Sequence, residues 1–89
     1  MLADYVAIDL ETTGLNPRME KIIEIGAVRV RNGVVEDAFC TYINPGKAIP
    51  QRVKELTGIT NEDVENAPYI EEVFPGFLEF LGEDYLLGH

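Results

Sequence analysis

Two carboxylates one residue apart, Asp9 and Glu11, are the side chains of this 89-residue sequence best suited to chemistry. They follow the apolar run 5–8, which has the composition of a buried strand. Because alternate side chains of a strand share a face, both carboxylates should point the same way, about 6–7 Å apart along the backbone. Such a pair can hold one divalent cation, or two cations about 3.5–4 Å apart. The pattern predicts part of a metal site, and the alternative is a pair of solvated carboxylates at a strand end.

Composition limits the classes of protein to which the chain could belong. A net charge of −9 argues against a large basic nucleic-acid surface, but not against an acidic site that meets phosphodiesters through bound cations. The length allows one domain, and the single Cys40 excludes an intramolecular disulfide or a cysteine-based metal site. No apolar run approaches a membrane span and the first four residues lack a signal-peptide pattern, so we expect a cytoplasmic protein with no membrane partner.

The acids must be positioned by the elements around them. Thr12-Thr13-Gly14 should turn the chain sharply, since Gly14 can adopt a positive φ. Two further strands are predicted on either side of Asn32-Gly33, a strong hairpin signal. Ile49, Val53 and Leu56 then lie at helical spacing. The predicted elements are strands at 22–31 and 34–43, helices at about 50–57, 61–65 and 70–81, and a strand at 85–89.

Three strands, helices and a last strand predict an α/β fold with a mixed sheet. The expected topology is a three-stranded antiparallel meander, a helical crossover and a fourth strand parallel to the first. Parallel neighbours end at the same edge of a sheet, where ligands tend to bind, so His89 should lie near Asp9 and Glu11. Glu24 lies in an apolar run. We predict a structural role for it, accepting hydrogen bonds from the turn near Gly14, rather than metal ligation.

Three segments together resemble the DEDD 3′–5′ exonucleases: Asp9-Leu10-Glu11-Thr12-Thr13-Gly14-Leu15, then Ile22-Ile23-Glu24-Ile25-Gly26-Ala27-Val28, then Leu86-Leu87-Gly88-His89. The resemblance is greatest to the proofreading exonucleases of bacterial DNA polymerase III, found as the epsilon subunit or as a domain of PolC. Residues 56–60 resemble the same group. The family fold is ribonuclease H-like, in agreement with the predicted order of strands.

The resemblance implies hydrolysis of the 3′-terminal phosphodiester of DNA with two Mg²⁺ or Mn²⁺ ions. Asp9 and Glu11 would be the catalytic metal ligands. The backbone N–H of Thr12 would approach the terminal 3′-hydroxyl, and Leu15 would wedge against the terminal bases. The implied partners are a single-stranded or frayed 3′ end and components of DNA polymerase III. Substrate contacts are expected at Thr12, Thr13, Gly14, Leu15 and His89.

The resemblance covers only the N-terminal part of such a domain. Residues 1–89 contain the first motif and, in His89, the start of the second. Two further metal carboxylates and a general-base histidine of the family belong to motifs beyond it, so little activity is expected from these residues alone. A competing hypothesis is a non-catalytic fragment that self-associates, for example as a homodimer, through sheet surface that the absent elements would cover. A third is an acidic interaction module.

Overall fold

The computed structural model describes residues 3–14, 21–82 and 86–88. Its elements follow the predicted order, and the first strand is longer than predicted. The strand continues through both acids to Thr12, so Asp9 and Glu11 lie within it rather than after it. The elements are β1 (Tyr5–Thr12), β2 (Ile22–Arg31), β3 (Val34–Tyr42), α1 (Gln51–Thr57), α2 (Asn61–Glu65), α3 (Ile70–Leu81) and β4 (Leu86–Gly88).

The four strands form one mixed sheet in the order β3-β2-β1-β4. β1 and β3 each pair antiparallel with β2, whereas β4 pairs parallel with β1, with Gly88 beside Ile8. Asn32 and Gly33 both have positive φ, 52° and 76°, as the tight hairpin turn between β2 and β3 requires. The predicted ribonuclease H-like topology is therefore confirmed.

A β-bulge interrupts the pairing of β1 with β2 at the end that carries the acids. Glu11 pairs with Glu24, but Thr12 pairs with Ile22, so Ile23 is the extra residue. The bulge sends neighbouring side chains to different clusters: Ile22 packs against the main core, while Ile23 is fully buried in a second cluster. This end of the sheet is thereby joined to two groups of helices.

The main core lies between the sheet and α3. Phe39 of β3 contacts Phe77 and Phe80 of the helix, with ring centroids 5.6 and 5.7 Å apart. Arg29 stacks over the Phe80 ring and donates a hydrogen bond to the Phe80 carbonyl. The helix begins at Ile70 and continues through Pro75. The buried residues of this core are Val6, Ile25, Ala27, Ile43 and Phe77.

The second cluster fixes α1 and α2 against the acidic end of the sheet. Besides Ile23 it contains Ile49, Val53, Ile59 and Val64. α1 ends at Thr57 and is capped by Gly58, whose φ of 77° suits a left-handed cap. α2 begins with a Thr60–Asp63 capping box. Within the described ranges, no helix combines the length and the apolar character that crossing a membrane demands.

Candidate active site

Asp9 and Glu11 lie on one face of β1, as their spacing predicts. Their neighbours across the ladder are Gly26 and Glu24 of β2. Asp9 is exposed and Glu11 is half-buried. Because the residue opposite Asp9 is a glycine, this part of the face carries little side-chain bulk. The acids therefore stand at an accessible end of the sheet.

Glu24 shares this face with both acids. It is half-buried, and its pKa is raised above the ordinary value of 4.5, first by burial and then by the negative charges of Glu11 and Asp9. Glu24 therefore interacts electrostatically with Glu11 and Asp9. Sequence reasoning missed this grouping, because only the pairing register of β1 with β2 reveals it. In the turn near Gly14, the Thr12 hydroxyl donates to the Gly14 carbonyl at 2.7 Å. A hydrogen bond from this turn to Glu24 stays a prediction.

Thr13 links the end of β1 to Lys21, the residue directly before β2. Its side chain is 1% exposed, its backbone N–H donates to the Lys21 carbonyl, and its hydroxyl accepts the Lys21 N–H, both at 2.9 Å. The structure therefore gives this side chain a structural position inside the protein. A contact of Thr13 with substrate stays a prediction.

Two depressions flank the acids. Asp9 borders an open depression of about 380 Å³ on the sheet face, floored by small residues such as Gly26 and Ala38. Glu11 borders a groove of about 450 Å³ between the end of β1 and α1. Each carboxylate thus adjoins space that a ligand could enter.

The groove beside Glu11 contains functional candidates that sequence reasoning missed. Leu56, which its spacing grouped with Ile49 and Val53, is 80% exposed and lines this groove instead. Leu10, on the opposite wall, is 41% exposed. The apolar spacing of a helix does not distinguish a core face from a ligand-facing one. The residues that line the groove are Leu10, Glu11, Thr12, Gly14, Arg52, Val53, Leu56 and Thr57.

Two predicted substrate contacts, Leu15 and His89, lie outside the described residues. The residue before His89 is nevertheless informative, because Gly88 pairs with Ile8, directly before Asp9. The end of β4 therefore reaches the edge of the sheet that carries the acids. The parallel pairing of β4 with β1 agrees with the predicted topology.

The chemistry of these donors fits a hard divalent cation in part. Carboxylate oxygens suit Mg²⁺ and Mn²⁺, and a cation beside Asp9 and Glu11 would offset the repulsion that raises the pKa of Glu24. Among the residues that the structure describes, no three Asp, Glu, His or Cys side chains form a complete metal-binding group. Metal binding by Asp9 and Glu11 stays a prediction.

Comparisons with known proteins agree on one family. The exonuclease (RNase_T) family model matches residues 6–89. The chain is 47% identical over 85 residues to the DNA polymerase III subunit epsilon of Aquifex aeolicus, covering 96% of this chain and 42% of that protein. It is 45% identical over 86 residues to the PolC-type DNA polymerase III of Clostridium perfringens, covering 97% of this chain and 6% of that protein.

Solved structures agree with the sequence matches. Exonuclease X in complex with 5′-overhanging duplex DNA superposes with a TM-score of 0.80 at 28% identity, covering 96% of this chain and 48% of that one. The chain thus spans less than half the length of each of these relatives. The match over residues 6–89, the shared mixed sheet and the two acids on β1 lead to one assignment: this chain belongs to the exonuclease (RNase_T) family.

Proposed function

We propose that residues 1–89 form the N-terminal part of a 3′–5′ exonuclease domain of the DNA polymerase III proofreading type. The observation that supports this most directly is the pair Asp9 and Glu11 on one face of β1, with Glu24 opposite Glu11. Three carboxylates on one face repel one another, and divalent cations are the partners that would relieve that repulsion. The reaction proposed for the complete domain is hydrolysis of the 3′-terminal phosphodiester of DNA.

Asp9 and Glu11 would hold the Mg²⁺ or Mn²⁺ ions. When bound, these ions would lower the pKa of the attacking water and stabilise the leaving 3′ oxygen. The chain itself supplies the positioning. Thr12 and Gly14 line the groove beside Glu11, where the Thr12 backbone N–H is proposed to meet the terminal 3′-hydroxyl. Leu10 and Leu56 give the groove apolar walls against which a nucleobase could lie.

The proposed substrate is a single-stranded or frayed 3′ end of DNA. Leu15 is proposed to separate the terminal bases and His89 to contact the terminal nucleotide, as the family resemblance implies. By the same resemblance, the physiological partners are other components of DNA polymerase III. Metal-mediated contact suits a chain with a net charge of −9 better than broad electrostatic capture does.

Thermal unfolding with Mn²⁺ and a nucleoside 5′-monophosphate tests the site. A ligand that binds only the folded state raises its stability, by about 2.7 kcal/mol at one hundred times its Kd. We expect the melting temperature to rise for the wild type and for Glu79→Gln, which changes an exposed acid of α3. The rise should be lost in Asp9→Asn and Glu11→Gln. An unchanged wild-type melting temperature at millimolar Mn²⁺ would refute the metal site.

A nuclease assay on 3′-labelled single-stranded DNA tests the activity. The family resemblance assigns two further metal carboxylates and a general base to later motifs, so we expect little or no cleavage by residues 1–89. A longer chain that carries those motifs should cleave the label, and Asp9→Ala in that chain should abolish cleavage. Cleavage that survives Asp9→Ala would contradict the proposed role of Asp9.

A second candidate function is self-association without catalysis, for example as a homodimer. The specific observation in its favour is the exposure of apolar side chains on β3, an edge strand of the described sheet, where Val34 is 67% and Val35 is 61% exposed. An exposed edge can pair with another chain. Light scattering at high protein concentration distinguishes the two cases, since a monomer at every concentration would exclude the dimer.

A further inference from the structure

We propose that Arg52 binds a backbone phosphate of the nucleic-acid strand and so positions that strand in the groove between β1 and α1. This inference rests on the proposed function and adds to it a residue outside the acidic motif. It concerns a positioning contact, because Arg52 stands on the wall of the groove opposite Glu11. The probe is a short single-stranded DNA.

The groove places Arg52 opposite Glu11, one of the two proposed catalytic residues. Arg52 and Leu56 are one turn apart on the same side of α1, and both line the groove. The facing wall is the end of β1, with Leu10 and Glu11, followed by the turn at Gly14. A strand lying in this groove would therefore have Glu11 on one side and the guanidinium on the other.

The fold holds this part of α1 firmly while leaving the guanidinium accessible. The adjacent Val53 is 4% exposed in the second hydrophobic cluster, and Gly58 caps the end of the helix. Arg52 itself is exposed. A fixed backbone with an open side chain is the arrangement expected of a positioning residue, because less freedom is lost when the ligand binds.

Electrostatics indicate why a cation is needed at this place. Glu11 lines the same groove, and Glu24 lies opposite Glu11 in the β1–β2 ladder. A phosphate that enters the metal-free protein would therefore be repelled. Arg52 is the single basic residue among the described residues that line the groove. The guanidinium matches phosphate oxygens in a bidentate geometry, which ammonium cannot do.

Other basic residues in the described ranges serve different contacts. Arg29 forms an ion pair with Asp37 at 3.7 Å, and Arg31 forms one with Glu36 at 4.0 Å. Lys54 is two positions along α1 from Arg52, and residues at that spacing do not share a helix face. Lys54 therefore provides a control that has the same charge and lies on the same helix outside the groove.

The test measures binding of 5′-labelled tetrathymidylate and tetradeoxyadenylate by fluorescence anisotropy in Mn²⁺, with phosphorothioate linkages to prevent cleavage. We expect Arg52→Gln to raise the Kd for both oligonucleotides by the same factor, about 3- to 10-fold. The slope of log Kd against log salt should fall by about 0.7, the value for one phosphate contact on a single strand. Lys54→Gln should leave both quantities unchanged, and Arg52→Lys should lie between wild type and Arg52→Gln.

Three outcomes would overturn the inference. Equal losses in Arg52→Gln and Lys54→Gln would show a general charge effect. An unchanged Kd and salt slope in Arg52→Gln would show that the guanidinium serves another purpose, such as neutralising Glu11. Failure of the wild type to bind either oligonucleotide in Mn²⁺ would refute the proposed function and this inference with it. Melting temperatures in EDTA confirm that each variant is folded.

Discussion

Glu11 and Glu24 lie directly opposite each other in the antiparallel ladder of β1 and β2. Like charges at such positions destabilise a sheet, and here burial adds to the cost by raising the pKa of Glu24. Asp9 on the same face adds a third negative charge. A sheet end that collects carboxylates in this way gains stability from any cation that binds them, which is the physical link between the fold and the proposed metal-dependent function.

Glu24→Gln should make the metal-free protein more stable at neutral pH. The folded-state pKa of Glu24 is raised above 4.5, so the folded protein holds this proton more tightly than the unfolded chain does. The stability contributed by the protonated form is complete below pH 4.5 and is lost as the pH rises through the folded-state pKa. We expect a gain of about 0.2–1 kcal/mol in the free energy of unfolding at pH 7, measured by urea denaturation in EDTA.

The gain in Glu24→Gln should shrink as the pH is lowered and vanish below the ordinary pKa of 4.5. Glu79→Gln, on the exposed side of α3, is the matched control and should show no comparable pH-dependent gain. With Mn²⁺ present, the difference in the free energy of unfolding between Glu24→Gln and the wild type should narrow or reverse, because the wild type then has a cation to bind. A Glu24→Gln protein less stable than wild type at pH 7 in EDTA would show that Glu24 makes a favourable contact outweighing the repulsion.

The sequence was sufficient for the topology because the relevant signals are local. Asn32-Gly33 specifies the hairpin, and the helical stretch before the last strand implies a parallel return next to β1. The sequence was not sufficient to predict the length of β1. Charged residues after Ile8 interrupt the apolar pattern, and only pairing with β2 shows that the strand continues to Thr12.

The two acids of the site could be predicted from the sequence, but the residues that surround them could not. Asp9 and Glu11 share a face because that follows from strand geometry alone. The position of Glu24 opposite Glu11 depends on the long-range register between β1 and β2, which no local pattern specifies. Leu56 has the spacing of a core residue, yet it is exposed in the groove. Long-range register and the direction in which a helix faces are properties of the assembled fold.

Gly26→Ala tests whether the glycine opposite Asp9 is required by the fold. A Cβ at this position would be 3.7 Å from the Asp9 carbonyl oxygen, an ordinary contact. Alanine should therefore be accommodated and should raise the free energy of unfolding by about 0.4–1 kcal/mol, because it restricts the unfolded chain. Gly33→Ala is the contrasting variant: its φ of 76° should make alanine destabilising by about 1 kcal/mol. A loss of stability in Gly26→Ala would show that the sheet face cannot accept even a methyl group.

Ile23→Ala tests the connection between the acidic end of the sheet and helices α1 and α2. Ile23 is 0% exposed at the bulge, so truncation should leave a cavity and cost about 2–5 kcal/mol of the free energy of unfolding. Val34→Ala, on a side chain that is 67% exposed, should cost far less. Urea denaturation of the two variants measures the difference. Equal effects would mean that the second cluster contributes little to folding.

Thr13→Val tests the hydrogen-bonded link between the end of β1 and Lys21. The hydroxyl of Thr13 accepts the backbone N–H of Lys21 at 2.9 Å inside the protein. Valine keeps the shape but leaves that donor unsatisfied, so we expect a loss of about 1–3 kcal/mol in the free energy of unfolding. Because Thr13 follows Glu11 by two residues, a loosened turn should also weaken Mn²⁺ binding. Both quantities can be measured by thermal unfolding with and without the metal.

The matched control for this change is Thr41→Val. The Thr41 hydroxyl donates to the Tyr42 carbonyl at 2.9 Å in an exposed position on β3, where water can replace it. That variant should therefore retain near wild-type stability and the full response to Mn²⁺. If Thr13→Val lowered stability but left the Mn²⁺ response intact, the turn would be a purely structural closure. The acids would then be held by the β1–β2 ladder alone, since Glu11 is its last residue paired in register before the bulge.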